Sequence, residues 1–190
     1  MTLDLGDLEI FYKEREFRIP LSEVYRVDSL RTDLKGKYLS KSVYDKYEEM
    51  MVTEKTRSLI EQKFEYYCNG RDGIKWFYKN GDKGDKYFSI AFRTGFGQVS
   101  LFYPDYIIQM NNGDVWIIET KGGERSGHSD NIDKMSPIKF DAFKKYVTKR
   151  HPEIKWGFVR DIGEHLFLNN EEWTEAIAGS DKWKSIEDFF

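Results

Sequence analysis

One cysteine, Cys68, stands among 190 residues. A lone thiol excludes an intramolecular disulfide framework and argues against a structural zinc site, which usually takes several thiolates. The expectation is a reducing compartment. His128, His151 and His165 are the whole histidine complement and show no metal-ligand spacing. No Ser-His-Asp or Cys-His arrangement stands out as a motif. No apolar run approaches the roughly 18 residues of a membrane span. The start, MTLDLGDLEI, lacks the basic-then-apolar order of a signal peptide, so the chain reads as cytoplasmic, without a membrane partner. A phosphate-binding loop is missing as well. GGERSGHS, from Gly122 to Ser129, nearly spells one, but His128 occupies the place of the lysine that would reach the phosphates. Net charge is low, at −3, and announces no nucleic-acid partner by itself.

What is present is a large apolar supply, 39% hydrophobic and 16% aromatic, enough for one globular unit of this length. Charge is uneven along the chain. Lys121 to Arg160 holds ten Lys/Arg against five Asp/Glu, whereas Asp161 to Phe190 holds two against eight. The first stretch can face phosphates and the second cannot. Residues 1–50 mix short apolar clusters with charge and read as an N-terminal extension, a linker or a fragment of a larger protein. A core follows over 51–170, and 171–190 reads as a helical C-terminal end, with EEWTEAI and DKWKSIEDFF as its amphipathic pieces. Within the core, Thr53 precedes a helix over about 53 to 68, on which Leu59, Ile60, Phe64, Tyr67 and Cys68 recur at helical spacing. Strands are expected around 74–79 and 87–92, then in VSLFYPDYIIQM and DVWIIETK. Ser136-Pro137 opens a second helix to about Arg150, and IKWGFVR and HLFL read as two more strands. The class is α/β, a mixed central sheet flanked by helices.

Asn111-Asn112-Gly113 is a strong hairpin signal. A three-residue loop there pairs Met110 with Asp114, which sets Asp105 opposite Glu119 and Tyr103 opposite Lys121, all on one face. A two-residue turn would put Asp105 and Glu119 on opposite faces. With the longer loop, two carboxylates and an ammonium meet at the end of an otherwise apolar hairpin (Ile107, Ile108, Val115, Ile117, Ile118). Charges buried there are costly unless paired or metal-bound. Oxygen ligands favour Mg²⁺ or Mn²⁺ over zinc, and such an ion lowers the pKa of bound water and steadies a phosphoryl transition state.

FYPDYII followed by IIETKGG resembles the PD-(D/E)xK motif of restriction-endonuclease-like nucleases: Pro104-Asp105, a spacer, then Glu119-Thr120-Lys121. Glu61-xx-Phe64, Lys75-Trp76, Lys79-Asn80, YPDYII, ETKG and GFVRD together are similar to the C-terminal nuclease domain of type III restriction-enzyme cleavage subunits and related helicase-nucleases, over about residues 55 to 170. The resemblance implies an αβββαβ core and Mg²⁺-dependent endonuclease action on DNA. It implies Asp105, Glu119 and the Thr120 carbonyl as metal ligands, Lys121 as the catalytic lysine, and Glu61, or less well Glu54, as a first-helix acid completing the site. It matches Lys139 to a phosphate-contacting lysine, with Lys145 and Arg125 as further nucleic-acid contacts in the basic stretch. Partners would be a helicase or ATPase motor and a methyltransferase subunit. Other readings stay open: Asp105 and Lys121 as a surface ion pair, a nuclease fold without catalysis that binds nucleic acid or docks a subunit, and a fold directed at RNA or branched junctions, with Tyr66, Trp76, Tyr78 and Phe96 available for stacking.

Overall fold

The computed structural model describes residues 39–43, 58–81, 87–122 and 134–190. Among the described residues the first helix, α1 (Leu59–Gly70), is capped by Ser58. The Ser58 hydroxyl accepts the Glu61 N–H at 3.3 Å, and the Glu61 carboxylate accepts the Ser58 N–H at 2.7 Å. This capping box satisfies two helix-terminal donors that otherwise have no partner. The expected opening at Thr53, like Glu54, lies outside the described residues.

Strands β1 (Ile74–Lys79), β2 (Ile90–Arg93), β3 (Val99–Phe102), β4 (Tyr106–Met110) and β5 (Val115–Thr120) follow. After them come α2 (Ser136–Arg150), β6 (Ile154–Ile162), β7 (His165–Asn169), β8 (Lys184–Ser185) and a single 3-10 turn (Ile186–Asp188). Among the described residues five strands therefore separate the helices, where the resemblance implies three. VSLFYPDYIIQM is not one strand: it divides into β3 and β4 at Tyr103-Pro104-Asp105, as expected for a proline that has no N–H for a ladder.

The main sheet has six strands in the order β1-β4-β5-β6-β7-β8, while β2 and β3 form a separate antiparallel pair. Only β5 and β6 run parallel within the six. Helix α2 is the crossover that such a parallel neighbour requires. The architecture is thus mixed α/β, mostly antiparallel. Both faces of the sheet are covered, which explains why the hairpin strands carry paired apolar residues instead of a simple alternation. Ile107, Ile117, Trp156 and Phe158 pack with Phe140, Phe143, Tyr146 and Val147 of α2. On the opposite face Phe77, Tyr106, Ile108, Ile118, Val159 and Leu168 pack with Ile60, Phe64 and Cys68 of α1.

Two boundaries differ from the sequence reading. Part of the expected N-terminal extension belongs to the fold. Ser42 pairs in parallel with Phe77, the Val43 N–H donates to the Phe77 carbonyl at 3.0 Å, and Leu39 and Val43 are each 3% exposed. The C-terminal end is not helical apart from the 3-10 turn. Asn169, fully buried, accepts the Glu171 N–H at 3.0 Å and donates to the Glu172 carbonyl at 2.7 Å. Such side-chain bonds offer the backbone an alternative to a helix. Trp173 then inserts as a separate knob, its ring centroid 5.7 Å from Phe140 and 5.6 Å from Phe158. Among the described residues no helix is long and apolar enough to cross a membrane.

Candidate active site

The β4–β5 hairpin has the register of the three-residue loop. Tyr106 pairs with Ile118 and Gln109 with Val115. The Met110 N–H donates to the Asp114 carbonyl at 2.8 Å, and Gly113 takes a φ of 92°, a left-handed conformation that favours glycine. Continuing that register by one residue puts Asp105 opposite Glu119, one residue before β5 ends.

The expectation of one shared face does not hold at Asp105. Glu119 alternates with Ile117 and so lies toward α2, whose Lys139 acts on it electrostatically. Asp105 precedes β4, and its carboxylate turns toward α1 instead. Its Oδ1 receives the Lys79 ammonium at 2.7 Å, and its Oδ2 receives the Thr120 N–H at 2.8 Å and the Thr120 hydroxyl at 2.7 Å. The two carboxylates thus approach the strand end from different directions, yet near enough for the Asp105 charge to act on Glu119. A strand tip lets this happen because no further cross-strand neighbour holds the side chain to one face.

Lys79 and Asn80 are the site residues that sequence reasoning did not single out. Lys79 is 4% exposed, and its Nζ also lies 2.6 Å from Glu61 Oε1 and 4.9 Å from the Tyr106 ring centroid. Burial disfavours the ammonium, but Asp105 and Glu61 outweigh it and hold the Lys79 pKa well above the ordinary lysine value. The neighbouring residue fixes the backbone. The Asn80 N–H donates to the Asp105 carbonyl at 2.7 Å, and its amide donates to the carbonyls of Pro104 at 2.9 Å and Phe88 at 2.8 Å. Asn80 thereby ties the end of β1 to the Pro104-Asp105 bend and to the approach to β2. A signal was available in IKWFYK: Lys79 follows Phe77 by two, so the strand period aims it at the same buried face.

Lys121 contacts Glu119 Oε1 at 2.5 Å, while Glu119 Oε2 is buried with no hydrogen-bond partner among the described residues. Burial, then the Asp105 charge, pushes the Glu119 pKa up to about 8, against the opposing pull of Lys121 and Lys139. Asp105 goes the other way. Burial would raise it, but Lys79 and Lys121 hold it below the usual carboxylate value. Glu61 is already fully engaged: Oε1 meets Lys79, and Oε2 accepts the Ser58 N–H and hydroxyl, each at 2.7 Å. Lys139 sits in the first turn of α2 with its Nζ 5.9 Å from the Phe102 ring centroid, on the Glu119 side. Lys145 is exposed, six residues on, and so lies about 120° around the helix from Lys139. Arg125 lies outside the described residues.

Among the described residues no three carboxylate, imidazole or thiolate groups converge as a ready cation cage. Mg²⁺ does not need one, since it keeps several waters and is commonly held by one or two carboxylates together with substrate phosphates. The buried Glu119 Oε2, without a hydrogen-bond partner among the described residues, is an acceptor of the kind such an ion would satisfy. Thr120 fits too. Its N–H points at Asp105, and in an extended strand a residue's N–H and C=O project to the same edge. Cavities of about 590 and 410 Å³ lie elsewhere, around Trp116 and Lys155 and around Tyr66 and His165, and none of these acids lines them.

No protein-family model matches the chain, and no curated protein or solved structure is significantly similar to it.

Proposed function

We propose that the chain is a restriction-endonuclease-like nuclease domain that hydrolyses DNA phosphodiesters with Mg²⁺, or Mn²⁺ in its place. The observation that carries this reading is the end of the β4–β5 hairpin. There Asp105 and Glu119 continue the register of the Tyr106–Ile118 pair by one residue, Lys121 adjoins Glu119, and one buried Glu119 oxygen has no partner among the described residues. Asp105, Glu119 and the Thr120 carbonyl would hold the ion, whose charge would acidify a bound water and offset charge developing on the phosphate. The protein's own side chains do the remaining work. Lys121 places an ammonium beside Glu119, where it can orient the attacking water or neutralise the developing charge. Thr120 fixes one Asp105 oxygen with two donors, so that carboxylate is preorganised. Lys139, on the Glu119 side of the sheet, is placed to meet a phosphate of the substrate backbone. A type III restriction or helicase-nuclease setting, with a motor and a methyltransferase subunit as partners, follows from the sequence resemblance.

The test is cleavage of supercoiled plasmid and of a matched RNA in Mg²⁺ or Mn²⁺. Wild-type protein should nick or linearise the DNA. Lys121→Ala should retain ion binding yet cut at least about a hundredfold more slowly. Cleavage of RNA alone, or cleavage untouched by Lys121→Ala, contradicts the assignment. A second reading, a nuclease fold without catalysis that binds nucleic acid or docks a subunit, is favoured by the engagement of both Glu61 oxygens and of Asp105. That reading requires no cleavage even with partner subunits added.

A further inference from the structure

Two acids and one ammonium form a buried row on the α1 side of the site: Glu61, Lys79 and Asp105. The Lys79 Nζ lies 2.6 Å from Glu61 Oε1 and 2.7 Å from Asp105 Oδ1. Each acid is also oriented from behind. Ser58 holds the other oxygen of Glu61, and Thr120 holds the other oxygen of Asp105. The ammonium is thus centred between two pre-aimed carboxylate oxygens, with the Tyr106 ring centroid 4.9 Å away. This is the environment a divalent cation would also seek: oxygen donors of net negative charge, held rigidly and shielded from water.

We propose that Lys79 is a built-in substitute for a second cation, so that the chain takes one divalent ion, at Asp105 and Glu119, and not a pair. This rests on the nuclease reading above and adds to it the stoichiometry of the site and the role of Lys79. Lys79 is a positioning residue. It keeps Glu61 off the ion and leaves Asp105 with capacity for a single metal. Two-ion phosphodiesterases clamp the attacking and leaving oxygens between ions about 3.5–4 Å apart. Here a fixed ammonium stands on the Glu61 side of Asp105, where a second ion would be coordinated by that pair of acids. Removing the ammonium would leave the two acids facing one another without a counter-charge. Closing each by about half an ångström brings them to the 2.0–2.1 Å at which Mg²⁺ is bound.

The experiment is Mn²⁺ stoichiometry by equilibrium dialysis, alongside thermal unfolding with and without Mn²⁺, for four proteins: wild type, Lys79→Met, Lys79→Arg, and the double variant Lys79→Met/Glu61→Gln. Wild type and Lys79→Arg should bind one ion per chain. Lys79→Met should bind two and should gain several degrees more in Tm from Mn²⁺ than wild type does, and the double variant should return to one. One ion in wild type and still one in a folded Lys79→Met overturns the Lys79 proposal and leaves the nuclease reading intact. Two ions in wild type overturn it likewise, and that measurement needs no variant to fold. No ion in any of the four proteins overturns the metal-dependent reading and the Lys79 proposal together.

Discussion

Burial and the Asp105 charge push Glu119 up to about 8 from an ordinary value of 4.5, so the folded chain keeps a proton there that the unfolded chain has already released. The stabilisation associated with that proton is complete below about pH 4.5 and is lost as pH rises toward 8. Asp105 has the opposite sign. Its depressed value contributes stability that is present at neutral pH and fades as pH falls through the acid range. In metal-free protein, urea unfolding at pH 5 and at pH 8 should therefore show wild type losing on the order of 3 kcal/mol more across that interval than Glu119→Gln. Equal losses in the two proteins would mean that Glu119 titrates normally. Ion binding competes with the same proton, so Mg²⁺ affinity should rise over this range. The acids of the motif were legible in the sequence because the hairpin loop fixed their register. Their orientation was not, because pairing places a residue opposite its partner but does not say where a side chain at a strand tip turns. Lys79 was visible as a residue within the resemblance and missed as a site residue, since an inward lysine becomes informative only when two acids are seen around it.

Helix α1 links its own start to the site through one side chain. Glu61 closes the capping box with Ser58 and at the same time receives Lys79. Ser58→Ala should cost about 1 kcal/mol of stability, the usual worth of such a cap, as measured by denaturant unfolding. A loss within a few tenths of a kcal/mol would show that the box contributes little. The helix itself is expected from its apolar period, but the capping box is the better mark of its opening than Thr53: Ser58 stands immediately before Leu59, the first apolar residue of that period, with Glu61 three residues on. Strands β1, β6 and β7 and helix α2 were legible because flanking Gly, Pro and polar residues bound each apolar run. EEWTEAI and DKWKSIEDFF misled because Trp173, Ile177, Trp183 and Ile186 have spacings that suit a helix. In the fold they are anchors along an irregular chain: Trp173, Ile177 and Trp183 pack on the α2 side and Ile186 on the α1 side.

At the level of the whole molecule, the six-stranded sheet is covered on both faces, and the site lies where β4 begins and β5 ends. The α/β class was readable from the order of helices and strands. The Leu39–Val43 segment beside β1 was not, since it depends on a long-range pairing that no local pattern encodes; β2 and β3 form a short local hairpin, and what local pattern leaves open is its separation from the main sheet. Charge is partitioned in the same geometry: the basic α2 supplies Lys139 on the Glu119 side, while the acidic C-terminal stretch uses its aromatic residues for packing. The most direct test is calorimetric titration of Mg²⁺ into wild type, Asp105→Ala and Glu119→Ala at moderate salt, with circular dichroism confirming that each protein is folded. Binding in wild type that both substitutions abolish is the predicted result; binding that survives either substitution unchanged would contradict a shared Asp105–Glu119 site.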